Sequence, residues 1–160
     1  MRNATLVIAG LASFVAFSPA VWSQMPFDAT HCYVGTANVV FASDEAAVIH
    51  FEHKGVYRDN GDKKFLEGFS IQCAGTNVTI SKKSAIRGGC KALDPKGDTI
   101  HLVFEGAAGE RGTAQAVAGT GAWKGISGGG DWEVRTSSKP LAAGAFQACL
   151  RFHGTFNIKK

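Results

Sequence analysis

Alternation of apolar and polar residues, repeated in short segments along the chain, is the feature that most limits what it can fold into. In AAVIHFEHKG (46–55), Ile49, Phe51 and His53 fall on one face, and Val48, His50, Glu52 and Lys54 on the other. DTIHLVFEG (98–106) sets Ile100, Leu102 and Phe104 against Thr99, His101, Val103 and Glu105. A period of two marks a half-buried strand, because successive strand side chains point to opposite faces. CYVGTANVVFA (32–42), KFLEGFSIQC (64–73), TNVTIS (76–81), GTAQAVAG (112–119), GDWEVRT (130–136) and AFQACLRFHGTFNI (145–158) also read as strands, with a turn at Ala74-Gly75. LDPKGD (93–98) and SSKPLAAG (137–144) are turn or loop material. Eight strands, with no repeat or linker between them, make one all-β domain.

The front of the chain has a different pattern. MRNATLVIAGLASFVAFSPAVWSQ carries a basic start at Arg2, an apolar run from Ala4 to Phe17, and small residues up to Ser23. That is the three-part plan of a secretory signal peptide. The reading is a leader over 1–23, cut after Ser23, and a mature domain over 24–160, secreted or periplasmic. No later segment is apolar for long enough to span a bilayer as a helix, so no membrane span is expected after cleavage. Net charge is +4 over the chain. The basic residues lie scattered as Lys63-Lys64, Lys82-Lys83 and Lys159-Lys160, without the basic stripe of a nucleic-acid binder.

Two architectures suit eight alternating strands: a β-sandwich, and a closed antiparallel barrel that removes exposed sheet edges. The stretch GTGAWKGISGGG (119–130), followed by DWEV, favours the barrel. Small barrels bend sharply at glycines, where a Cβ would clash. Gly119, Gly121, Gly125 and Gly128–Gly130 are expected to take unusual φ values, with Trp123 and Trp132 plugging the barrel end or its wall. A phosphate cradle fails here. The spacing is not GxGxxG, Lys124 precedes Gly125 where a P-loop needs Ser or Thr, and no helix follows.

The same stretch resembles the Gly-x-Gly-x-(aromatic)-x-Gly-Ile-x-Gly-x-Gly segment near the end of allene oxide cyclase-like and dirigent-like β-barrels. Gly119, Gly121, Trp123, Gly125, Ile126, Gly128 and Gly130 fit, with Trp123 where tyrosine is commoner. The resemblance implies an eight-stranded antiparallel barrel with a largely apolar cavity that acts by shaping a bound substrate, without a cofactor. It transfers no catalytic residue to a numbered position.

Four cysteines, Cys32, Cys73, Cys90 and Cys149, in an exported chain read as two disulfides. Their spacing has no CxxC and suits no zinc site, so no metal is expected. Three connectivities exist. In a closed up-and-down barrel the first and last strands pair, which favours Cys32–Cys149, with Cys73–Cys90 spanning one excursion between neighbouring strands.

His50 and Glu52 share a strand face, as do His101 and Glu105, and Arg151 and His153. Read as the wet outside of the barrel, these faces carry no chemistry. Read as converging on a pocket, they offer His–carboxylate acid–base pairs at neutral pH. The candidate catalytic residues are therefore His50, Glu52, His101 and His153, with Trp123, Trp132 and Arg151 as ligand contacts. NVT (77–79) fits a glycosylation sequon. Two functions fit: a barrel that binds a small apolar molecule and catalyses a cofactor-free cyclisation or isomerisation by confinement, or a non-catalytic exported protein that acts through its outer surface. A hollow interior with a few buried polar groups separates the first from the second.

Overall fold

The computed structural model describes residues 22–159. The leader assigned to 1–23 lies outside them except for its last two positions. Eight strands follow in order: β1 (Trp22–Ala42), β2 (Ala46–Asp59), β3 (Ser70–Ile80), β4 (Lys83–Leu93), β5 (Thr99–Ala107), β6 (Arg111–Gly119), β7 (Ser127–Ser138) and β8 (Ala145–Lys159). Each pairs antiparallel with the next, and β1 pairs with β8, so the sheet closes into a barrel. The fold class is the one the alternation predicts.

Four details differ from the sequence reading, the first being that residues 64–69 of KFLEGFSIQC, expected in a strand, belong to the β2–β3 connection. Strand β1 begins ten residues before Cys32, because the long β8 needs a partner for Phe152–Lys159, and Trp22–Ala29 supply it. Strand β3 runs straight through Ala74-Gly75, where a turn was expected. Strand β4 was not anticipated, since KSAIRGGCKAL alternates poorly. The last two differences have one cause. Gly75 faces Gly88 across the β3–β4 ladder; a Cβ at Gly75 would meet the ring tips of Phe51 and Phe104, and one at Gly88 would strike that of Phe104. The glycine pair is a recess for two rings, not a bend. Gly106 and Gly112, opposed on β5 and β6, make the same kind of recess under Trp132. Aromatic cover over paired glycines restores packing that a bare backbone lacks.

The 119–130 stretch divides its glycines by purpose. Gly121, Gly125 and Gly128 have φ of +49°, +79° and +84°, the left-handed region that glycine enters freely. Gly119, Gly129 and Gly130 do not; each lies so close to a neighbouring backbone that a Cβ would strike a carbonyl oxygen.

One end of the barrel is stoppered. Asp59 accepts from the backbone N–H groups of Gly61 and Leu66, both at 2.8 Å, and folds the 60–69 connection inward. That places Leu66 and Phe69, both buried, in the barrel end with Phe27, Phe152 and Phe156. Trp123 packs on Phe65 and Phe69, with ring centroids 5.3 and 5.7 Å away, and donates its Nε1–H to Asp94 at 3.0 Å. The tryptophan expected at the barrel end is there. The opposite end carries the short connections 43–45, 81–82 and 108–110 and the longer 139–144, and among the described residues has no such stopper.

Both expected disulfides are present, Cys32–Cys149 across the β1–β8 seam and Cys73–Cys90 across β3–β4, each between residues directly opposed in register.

Candidate functional site

Above the aromatic stopper the inward-facing residues enclose a cavity of about 460 Å3. One wall is polar and comes from adjacent strands: His31 and Tyr33 on β1, His53 and Tyr57 on β2. The ring centroids of His31 and His53 are 5.3 Å apart, Tyr33 and His53 4.3 Å, and His31 and Tyr57 5.0 Å. His31 reaches this wall because Gly55 leaves room, and a Cβ at that position would stand 2.8 Å from His31 Nε2. Asn77 lines the cavity nearer the open end, opposite Ile49 in register, with Ser137, Ser138 and Gln147 also lining it. The remaining wall is apolar and includes Leu102, Phe104, Trp132 and Leu150, with the Cys73–Cys90 disulfide set into it. Trp132 donates Nε1–H to the Thr113 carbonyl at 3.1 Å, which fixes its ring.

Burial dominates the electrostatics. His31, only 2% exposed, has its pKa lowered from 6.5 to about 3 by desolvation and secondarily by His53. Desolvation lowers that of His53 to about 4. Both imidazoles are neutral at pH 7, each offering one donor and one acceptor. The phenols of Tyr33 and Tyr57 are pushed up by the same desolvation and stay protonated. His31 Nε2, His53 Nδ1 and Asn77 Oδ1 are buried without a hydrogen-bond partner. Such an atom costs about 1–3 kcal/mol, so three of them around one cavity call for an explanation.

The residues expected to carry chemistry sit elsewhere, apart from one. Trp132 lines the cavity. His50 and Glu52 are exposed on the outward positions of β2, where His50 Nδ1 lies 3.4 Å from Thr76 Oγ1. His101 and His153 are half-buried at outward positions of β5 and β8; neither lines the cavity. Arg151 is also outward, in a two-toothed pair with Asp28 at 2.6 and 2.9 Å. That guanidinium holds the Asp28 carboxyl down at about 2. Trp123 belongs to the stopper. The reason is the alternation itself: Ile49, Phe51 and His53 point inward, so His50 and Glu52 must point out. His53 was already on the apolar face, and its place there was the available signal. Asn77 of the sequon faces the interior, where no glycan fits in the folded barrel.

Fold and site together define a closed antiparallel β-barrel, stoppered at one end, with a predominantly apolar internal cavity and one neutral polar wall. Two solved structures share this fold. The pterocarpan synthase dirigent protein GePTS1 aligns over 98% of this chain and all of its own, at a TM-score of 0.50 and 14% identity. The pterocarpan synthase dirigent protein PsPTS1 aligns over 89% of this chain and 98% of its own, at 0.51 and 13%. The likeness is one of fold. No family model matches the sequence, and no curated protein matches it.

Proposed function

We propose that the barrel binds a small, largely apolar molecule in its cavity and orients it through His31, Tyr33, His53, Tyr57 and Asn77. The observation that carries this reading is the conjunction of a hollow interior with three unpartnered buried polar atoms on residues that line it. Apolar walls supply affinity and sparse polar groups fix orientation, the usual division of labour in small-molecule sites. A ligand with matching donors and acceptors gains hydrogen bonds from the polar side chains of that wall.

The finer reading is a cofactor-free cyclisation or isomerisation. The cavity confines the substrate in a folded shape, and a neutral imidazole of the His31–His53 pair moves one proton. Support comes from the dirigent-like fold, from neighbours named as synthases, and from the allene oxide cyclase-like spacing at 119–130. The two disulfides agree with export to an oxidising compartment, as the leader-like start suggests. A non-catalytic protein acting through its outer face predicts a filled interior, and the cavity weighs against it.

The uncharged dye N-phenyl-1-naphthylamine tests binding by its fluorescence rise in apolar surroundings. The parent protein is expected to bind it, and Ala37→Trp, which fills space in the cavity wall, to weaken binding at least about tenfold. Equal binding by parent and variant, or by neither, would overturn the proposal.

A further inference from the structure

Among the described residues that line the cavity, none is Asp, Glu, Lys or Arg. The chain has thirty residues of those types, and the ion pairs they form, Arg151–Asp28 and Arg87–Glu105 among them, are on the outer face. The polar side chains that line the cavity carry imidazole, phenol, hydroxyl, amide and indole groups. We infer that the cavity selects uncharged molecules: ring-bearing compounds with a carbonyl, hydroxyl or amide group, to the exclusion of carboxylates and phosphates. This rests on the binding role proposed above and narrows it to a ligand class.

An anion entering the cavity leaves its water and meets no fixed counter-charge, and such transfers are strongly unfavourable without a partner. The one escape is for a histidine to take up a proton and become the partner. The same burial that lowers the pKa values of His31 and His53 to about 3 and about 4 opposes it. The rings packed against the two imidazoles are each other, Tyr33, Tyr57, Phe51 and Phe146, and no Asp, Glu, Lys or Arg contributes to the lowering of either imidazole's pKa. A neutral carbonyl or amide meets the opposite situation. It takes donors and acceptors from the imidazoles and from Asn77, whose Oδ1 has no partner of its own.

Two isosteric probes separate the possibilities by calorimetry at pH 7: naphthalene-2-carboxamide, neutral with both a donor and an acceptor, and 2-naphthoate, its anionic counterpart. The carboxamide is expected to bind at least about a hundredfold tighter, which is two factors of ten in Kd. Comparable affinities would overturn the selectivity while leaving the binding role intact. So would naphthoate binding with uptake of one proton, read from buffers of different ionisation enthalpy. Binding of neither would overturn the binding role, and the selectivity with it. In Ile86→Lys, which puts a cation into the apolar wall across from Asn77, the affinity ratio is expected to move toward naphthoate by at least about tenfold. An unmoved ratio in a folded variant would count against the electrostatic argument.

Discussion

Acidification from neutral pH should destabilise the barrel through His31 and His53, well before Asp28 gives up its charge to break the pair with Arg151. Their folded pKa values, about 3 and about 4, lie below the ordinary 6.5. Between 6.5 and 4 the unfolded chain therefore binds protons that the folded barrel refuses, and stability falls as pH falls. The contribution is complete above pH 6.5 and lost progressively below it. At pH 4.5 each imidazole lies two units below its unfolded value, worth about 3 kcal/mol at about 1.36 per unit, and the pair together about 5. Asp28 and Asp94, whose pKa values are lowered from 3.8, lose their contributions only below that value, so the window above pH 4.5 belongs to the imidazoles. Urea unfolding followed by tryptophan fluorescence at several pH values from 7 to 4.5 measures this directly. A slope approaching two protons is expected, and His31→Gln, which stays polar but cannot titrate, should remove about half of it. A stability that stays flat from pH 7 to 5 would refute the claim that the two imidazoles are buried and neutral.

Other outcomes follow from packing. Gly112→Val brings a side chain against Trp132 and the facing β5 backbone; a thermal scan should register a loss above ~2 kcal/mol. Gly125→Val has open space around it but a φ of +79°, so backbone strain alone should cost about 1–3 kcal/mol, and Gly125→Asn should melt closer to the parent. Under mild reductant, mass spectrometry of alkylated peptides should find Cys32–Cys149, whose Cys32 is exposed, opened first. Cys73–Cys90, with Cys73 only 2% exposed, should persist until the barrel unfolds. Asp28→Asn breaks a half-exposed pair with Arg151 and should shift the urea-derived stability by no more than about 1 kcal/mol.

Much of the fold was legible because a closed barrel leaves a strong period in sequence. The inward runs Ile49-Phe51-His53 and Ile100-Leu102-Phe104 both held, and barrel closure pointed to the right cysteine pairs. What was not legible depended on long-range pairing. Nothing local in Trp22–His31 announces a strand; β8 makes it one. In β3 and β4 the Gly75–Gly88 recess looked like turn chemistry, because its reason is two rings arriving from β2 and β5. The candidate site followed the same division. His53 could be read from its face, but acid–base pairing points to histidines near carboxylates, and those pairs belong to the wet outside. His31 lay ahead of the expected first strand, and its access to the cavity depends on Gly55 of the neighbouring strand.

The chain has five histidines, two lining the cavity and three at outward positions. Histidine side-chain 15N NMR can therefore read the site without knowing the natural ligand. Titrated with naphthalene-2-carboxamide, the ring nitrogens of His31 and His53 are expected to shift as the cavity fills, while those of His50, His101 and His153 stay in place. Shifts confined to His50, His101 or His153, with His31 and His53 unmoved, would contradict a binding site inside the barrel.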